Sequence, residues 1–196
     1  MAQALSDSHV HDDNNMTVFV LMGTAGCGKS TVAKELQKLL NCEFMEGDDF
    51  HPPANVKKMS EGHPLTDDDR WPWLRSIQEH LIERGKQAKE DHSHRHVTIV
   101  TCSALRRVYR DILRQVPSNL GTVWFVFLKG STKLLTERIA ARRGHYMAAS
   151  MLQSQLDVLE EPNPEQEQVI VADIAPPPDQ IAQQILQEGK KQHILP

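Results

Sequence analysis

The stretch "LMGTAGCGKST" (Leu21–Thr31) decides the fold. Within it, residues 23–30 fit the pattern G-x-x-x-x-G-K-[ST] in full. An apolar run, "TVFVLM" (17–22), comes before it, and "STVAKELQKLL" (30–40), with helical spacing, comes after it. A strand, a glycine-rich loop and a helix in this order form a phosphate-binding loop. The stretch therefore predicts a nucleotide site at the carboxyl end of a strand.

The residue types of this loop suit phosphate chemistry. Glycines let successive backbone N–H groups form a nest around phosphate oxygens, and the following helix points its positive end at them. Lys29 is predicted to contact the β- and γ-phosphates as a catalytic residue, and Ser30 to bind Mg²⁺ through its hydroxyl. The predicted nucleotide-binding residues are Gly23, Thr24, Ala25, Gly26, Cys27, Gly28, Lys29, Ser30 and Thr31. Cys27 is interpreted as a small side chain rather than a nucleophile, because no helper base is in view.

Beyond the loop, short apolar runs alternate with longer amphipathic segments. The further predicted strands are 42–46, 97–102, 122–128 and 168–172, and the further predicted helices are 71–87, 104–115, 131–143, 148–158 and 178–189. This alternation predicts an α/β fold of three layers, with a mostly parallel five-stranded sheet and helices on both faces. Residues 1–15 are polar and predicted to be a disordered tail, and 16–196 a single domain.

Composition excludes several classes of protein. The formal net charge of -4 argues against a general nucleic-acid binder. No window approaches the roughly 18 apolar residues of a membrane span, and no secretory signal pattern opens the chain. Three cysteines (Cys27, Cys42, Cys102) cannot all pair and match no zinc spacing, which favours the reducing cytoplasm.

The position of the acidic residues separates kinases from switches and motors. GTPase switches need N-K-x-D and D-x-x-G, and neither occurs here. Motor and transporter ATPases usually end a later strand in a carboxylate, but the runs 97–102 and 122–128 lead into Ser103 and Lys129. Asp48 instead follows the second strand, where a small-molecule kinase places its base. It is predicted to accept the proton of the acceptor hydroxyl and to hold the metal through water.

Three further runs carry candidate ligands. The loop-rich run "GDDFHPPANVKKMSEGHPLTDDDRWPWL" (47–74) suits a polar, anionic acceptor, although its composition also fits a solvated surface loop. In "SALRRVYRDILR" (103–114), Arg106, Arg110 and Arg114 share one helical face, and the first two are candidate anion ligands. In "RIAARRGHYM" (138–147), Arg138 and Arg142 share a face, as lid arginines of P-loop kinases do, or form an ordinary basic helix end.

Together with the loop, these runs resemble gluconokinases of the small P-loop type over about residues 18–162. The run 47–74 is the most specific, because neither shikimate kinases nor nucleotide kinases carry it. The departures are small: Phe50 stands where Leu is common, Tyr146 where Phe is common, and Cys27 where Ser is frequent.

The resemblance implies ATP-dependent phosphorylation of D-gluconate at its 6-hydroxyl, with Mg²⁺, which gives 6-phosphogluconate for the pentose phosphate pathway. It implies that Asp48 is the base and that Arg138, a catalytic residue, and Arg142 lie in a lid at about 138–150, one of them against the adenine. It also implies that homodimers are common. The implied gluconate-binding residues are Asp48, His51, Lys57, Arg70, Arg106, Arg110 and Gln155.

Two alternatives remain open from the sequence. One is a P-loop kinase of the same fold acting on shikimate or a nucleoside monophosphate. The other is a nucleotide-binding regulator without turnover, which would have no need of a base such as Asp48.

Overall fold

The strands of the computed structural model form one parallel sheet, and the structure describes residues 15–91, 96–141 and 149–195. The strands are β1 (Met16–Met22), β2 (Glu43–Glu46), β3 (Val97–Thr101), β4 (Gly121–Lys129) and β5 (Val169–Asp173). Their order is β2-β3-β1-β4-β5, and every pairing is parallel. Because β1 lies between strands that come later in the chain, its carboxyl end opens at the switch in strand order, where such sheets bind ligands.

Seven helices of the described residues surround this sheet: α1 (Lys29–Leu40), α2 (Pro53–Ser60), α3 (Asp67–Glu90), α4 (Arg107–Leu113), α5 (Thr132–Ala140), α6 (Ala149–Asp157) and α7 (Pro178–Lys191). Alternate residues of β1 face opposite sides of the sheet. Val18 and Val20 lie in one core cluster with residues of α3 and α4, whereas Phe19 and Leu21 lie in a second with residues of α1 and α7. The predicted three-layer α/β fold is therefore confirmed.

The start of α3 differs from the sequence prediction. The helix begins at Asp67 instead of residue 71, and Pro72 lies inside it rather than near its first turn. Thr66 is the cause: its hydroxyl accepts from the Asp69 N–H, and the Asp69 carboxylate accepts from the Thr66 N–H at 2.6 Å. This reciprocal capping box satisfies two N–H groups and fixes the helix start.

The run 47–74, predicted to be rich in loops, also contains α2. Pro53 occupies the first turn of this helix, where a missing N–H has no effect on helical hydrogen bonding. Of the predicted tail, residues 1–14 lie outside the described residues. Within the described part of the chain, no helix combines the length and apolar character of a membrane span.

Candidate active site

The phosphate-binding loop joins β1 to α1 in a backbone conformation that glycine favours. Gly23, Gly26 and Gly28 have φ values of 139°, 80° and 93°. A Cβ at Gly26 would lie 2.9 Å from Cγ1 of Ile139 and 3.0 Å from the Leu135 carbonyl oxygen of α5. The glycine is therefore required both by the left-handed φ and by the close packing of the loop on α5.

The start of α1 fits a phosphate group. Gly28 caps the helix without any side-chain hydrogen bond, so no side chain there satisfies the N–H groups of the first turn. Ser30 lies in this turn, where its hydroxyl suits Mg²⁺ bound to a nucleotide. The Nζ of Lys29 donates to the carbonyl oxygens of Gly23 at 2.9 Å and Thr24 at 3.1 Å. The lysine side chain thus folds back over the loop, next to the predicted phosphate position.

Arg138 of α5 lies on the nucleotide side of the loop. Its Nη2 donates to the Ile174 carbonyl oxygen at 2.6 Å, directly after β5. Its Nη1 lies 3.7 Å from the position that a Cβ on Gly28 would take. Arg138 therefore lies between the segment after β5 and the start of α1, and its contact with a nucleotide stays a prediction. Arg142, its predicted partner, lies outside the described residues.

Asp48 stands in a short 3₁₀ helix (Gly47–Phe50) at the carboxyl end of β2, with its side chain 85% exposed. Trp73 of α3 holds this turn, because its Nε1 donates to the Gly47 carbonyl oxygen at 2.6 Å. The His51 ring stacks on the Trp73 ring with centroids 4.1 Å apart, and its Nε2 lies 3.9 Å from an Asp48 oxygen. Trp73 thereby positions both predicted acceptor-side residues.

His51 is held as a neutral imidazole. Burial lowers its pKa, the charge of Arg70 lowers it further, and the charge of Asp48 opposes the shift. Buried Asn55 donates to the Asp69 carbonyl oxygen at 2.7 Å, and its Nδ2 also lies 3.4 Å from Nδ1 of His51. With Nδ1 as acceptor, the ring proton is assigned to Nε2, which faces Asp48.

The buried Cys102 thiol lies directly after β3, between the phosphate loop and the turn that carries Asp48. Burial, the largest effect, and the negative charge of Asp48 together raise its pKa to about 12, although a hydrogen bond from the Ala104 N–H and the positive charge of Lys29 oppose the shift. Both charges therefore act at the carboxyl end of β3. The thiol stays protonated at neutral pH and is not a nucleophile. Among the described residues, no group of three or more His, Cys, Asp or Glu side chains could hold a metal ion by itself.

A cavity of about 440 Å³ opens between the start of α3, the start of α4 and the end of α6. Its central group is Asp67, which accepts hydrogen bonds from the Tyr109 hydroxyl at 2.5 Å and from Nη1 of Arg106. The lining residues are Pro64, Leu65, Asp67, Arg70, Arg106, Tyr109, Ser154, Gln155, Asp157, Val158, Leu159 and Glu160. Of the predicted gluconate-binding residues, the structure thus brings Arg70, Arg106 and Gln155 together here.

The cavity is of mixed charge, although the sequence predicts an anionic acceptor and arginine ligands for it. Two arginines face three carboxylates, those of Asp67, Asp157 and Glu160. The hydrogen bond from Tyr109, followed by the charge of Arg106, holds the pKa of Asp67 below its ordinary value, so it is ionised at neutral pH. Carboxylates accept from hydroxyls and guanidinium groups bind carboxylates. The wall can therefore bind a molecule that carries both.

Gln155 of α6 contacts the phosphate loop and also lines this cavity. Its Oε1 accepts a hydrogen bond of 2.6 Å from the Ala25 N–H in the middle of the loop. It therefore joins the nucleotide side and the cavity.

The structure does not bring Arg110, a predicted acceptor ligand, to the cavity. Its side chain is 1% exposed, and its Nε and Nη2 both donate to the Glu167 carboxylate at 2.8 Å. Its Nη1 donates to backbone carbonyl oxygens, including that of Glu160 at 3.0 Å. These contacts use the guanidinium group inside the protein, one turn below the cavity. The charge-assisted bonds from Arg110 and Arg114 lower the pKa of Glu167 to about 2.

The cavity wall also leaves out three other predicted acceptor residues, Asp48, His51 and Lys57. Asp48 and His51 lie beside β2, as described above. Lys57 is exposed on α2. Its neighbour Lys58 instead donates to the Asp69 carboxylate at 2.5 Å and ties α2 to the start of α3.

Sequence reasoning missed Asn55, Asp67 and Tyr109 as site residues. Two signals could have found the last two. The pattern Thr66-x-x-Asp69 indicates a capping box and would have put Asp67 in the first turn of a helix. Tyr109 follows Arg106 by three residues, so it shares its helix face. No local pattern indicates that Asn55 is buried.

Known proteins resemble this chain over most of its length. A family model described as an AAA domain matches residues 20–155. The thermoresistant gluconokinase of Escherichia coli is 37% identical over 89% of this chain and 94% of its own length. The gluconokinase of Gluconobacter oxydans is 43% identical over 85% of this chain and 88% of its own length.

The chain belongs to the gluconokinase family.

A solved gluconokinase from Sinorhizobium meliloti has the same fold, with a TM-score of 0.75 and 40% identity over 91% of this chain and 96% of that one. This family membership confirms the resemblance drawn from the four sequence runs. The AAA-domain match at 20–155 spans the loop, the 3₁₀ helix with Asp48, and the cavity-lining residues from Pro64 to Gln155. The chain is therefore a kinase of the gluconokinase family.

Proposed function

We propose that this protein transfers the γ-phosphoryl group of ATP to the 6-hydroxyl of D-gluconate and so feeds the pentose phosphate pathway. One observation carries the proposal: a cavity with both carboxylates and guanidinium groups adjoins a phosphate-binding loop in a member of the gluconokinase family. D-Gluconate is a carboxylate with several hydroxyls, so it needs both kinds of partner.

The nucleotide side would hold MgATP. The loop amides and the start of α1 bind phosphate oxygens, and Lys29 and Arg138 neutralise charge that develops on the transferred group. Ser30, with Asp48 through water, would hold Mg²⁺, which supplies further neutralisation of the phosphates. Lys29 must leave the carbonyl oxygens of Gly23 and Thr24 to reach a phosphate.

The acceptor side would orient the sugar acid. Arg106 and Arg70 bind its carboxylate, while Asp67 and Glu160 accept from its hydroxyls. Asp48 then takes the proton of the 6-hydroxyl as it attacks the phosphorus atom. Neutral His51, whose Nε2 lies 3.9 Å from an Asp48 oxygen, would have to approach by about 1 Å to donate a hydrogen bond to this carboxylate.

The test is ADP release from the purified protein with MgATP and one acceptor at a time: D-gluconate, shikimate or AMP. Release with gluconate alone is expected. Release with shikimate or AMP alone would keep the kinase assignment and refute the acceptor. No release with any acceptor, despite nucleotide binding, would favour a regulator.

The cytoplasm is the proposed compartment, because Cys27, Cys42 and Cys102 are free thiols. The homodimer that the family resemblance implies stays a prediction, which sedimentation of the purified protein would test.

A further inference from the structure

One hydrogen bond directly joins the phosphate loop to α6. The Ala25 N–H donates to the side-chain oxygen of Gln155 at 2.6 Å, across 130 residues of sequence. Ala25 lies between Gly23 and Gly26, so its N–H belongs to the set of amides that a phosphate group uses in such loops. A phosphate oxygen and the Gln155 oxygen are both acceptors for this one donor. The two therefore compete.

Gln155 can leave this amide without any movement of its helix. Leu152, one turn earlier, is buried in the core cluster of α1 and α7, and Leu156 packs against the same cluster. These contacts fix α6, whereas rotation about the side-chain bonds of Gln155 is enough to move its amide. The residue already lines the acceptor cavity, together with Arg106 and Glu160. A displaced Gln155 amide has donors and an acceptor to offer to a polyhydroxy ligand in that cavity.

We propose that Gln155 couples the two substrate sites: a nucleotide phosphate displaces it from the Ala25 N–H, and the freed amide then binds the acceptor. Nucleotide alone must break the Gln155 bond, while nucleotide with acceptor recovers a bond for the same amide. The two ligands therefore bind better together than separately. By linkage, each raises the affinity of the other by the same factor.

The identity of the acceptor rests on the proposed function, but the competition for Ala25 does not. A purely structural role for Gln155, holding the loop in shape, predicts the opposite sign. In that case removal of the side chain would loosen the loop and weaken nucleotide binding. The direction of the change in nucleotide affinity thus separates the two roles.

The experiment is calorimetric titration of the full-length protein with a non-hydrolysable MgATP analogue, with and without D-gluconate. For Gln155→Ala we expect the dissociation constant of the analogue alone to fall by about two- to tenfold, the equivalent of one net hydrogen bond. Gluconate should no longer lower the dissociation constant of the analogue. The KM for gluconate, measured by ADP release with MgATP, should rise. Gln155→Leu, which keeps the volume, should behave in the same way, so that a packing defect in the alanine variant cannot mimic the result.

Gln153→Ala is the matched control. Gln153 is exposed on the same helix, and its side chain has one hydrogen-bond partner among the described residues, Asp157. It should bind the analogue like the unaltered protein. Unchanged or weaker analogue binding in both Gln155 variants would overturn the proposal. If gluconate has no effect on the unaltered protein but the Gln155 variants still bind the analogue more tightly, the acceptor assignment fails and the competition stands.

Discussion

The phosphate loop and the proposed acceptor cavity are built from different parts of the chain. The loop uses backbone groups of consecutive residues, held by glycines with φ values from 80° to 139°. The cavity uses side chains from three helices, and its central bond joins Asp67 to Tyr109 across 42 residues. Loop function therefore depends on local backbone conformation, whereas cavity function depends on how ion pairs are arranged between helices.

Two arginines of one helix face show what this arrangement decides. Arg106 caps α4 and faces the cavity, where Asp67 pairs with it. Arg110 lies one turn later, and its guanidinium group donates to the Glu167 carboxylate and to three backbone carbonyl oxygens. The same residue type lines a cavity in one position, where it is a proposed ligand, and lies in the protein interior in the other.

The largest expected effect is at Asp48, between the two regions. Asp48→Asn removes the proton acceptor and should lower kcat by about 100- to 10,000-fold. MgATP should still bind, because the loop amides and Lys29 are unchanged. ADP release and nucleotide titration measure the two quantities. A variant with near-normal kcat would show that another group takes the proton.

The next effect concerns the support beneath the cavity. Glu167→Gln leaves Arg110 charged, buried and without its carboxylate, which should lower the free energy of unfolding at pH 7 by roughly 3–5 kcal/mol. Urea unfolding measures it. Asp111→Asn, at the exposed partner of Arg114, is the control and should cost less than about 1 kcal/mol.

This loss should depend on pH in a defined direction. Folding lowers the pKa of Glu167 from 4.5 to about 2, so its contribution is complete above 4.5 and disappears as the pH falls towards 2. The difference between the unaltered protein and Glu167→Gln should shrink over this interval. The interval from pH 6 to pH 2.5 includes the ordinary pKa of 4.5 and most of the shift. A difference that stays constant over it would contradict the stabilising ion pair between Glu167 and Arg110.

On the loop, Lys29→Ala should lower the rate of phosphoryl transfer by about 100- to 1,000-fold, as loss of one charge-stabilising donor does. Lys34→Ala, an exposed lysine of the same helix, should leave the rate unchanged. Single-turnover kinetics separates this loss from slower product release. An active Lys29→Ala enzyme would remove the loop from the mechanism.

The same contrast explains what could be predicted from the sequence. The loop is local, so its spacing and flanking elements were enough, and the strand pattern gave the sheet because buried parallel strands form short apolar runs. The fate of Arg110 could not be predicted, since Glu167 lies 57 residues away just before β5. The mixed charge of the cavity could not be predicted for the same reason. Asp157 of α6 and Glu160 of the segment after it are also far in sequence from the arginines that they face.

The most direct test of the account is the pair of KM values in Arg106→Ala, with Arg107→Ala, an exposed neighbour, as control. Loss of a charged contact to the carboxylate should raise the KM for D-gluconate by about 10- to 100-fold, while the KM for ATP changes little. An equal rise in both KM values would contradict the assignment of the acceptor to the cavity and of the nucleotide to the loop.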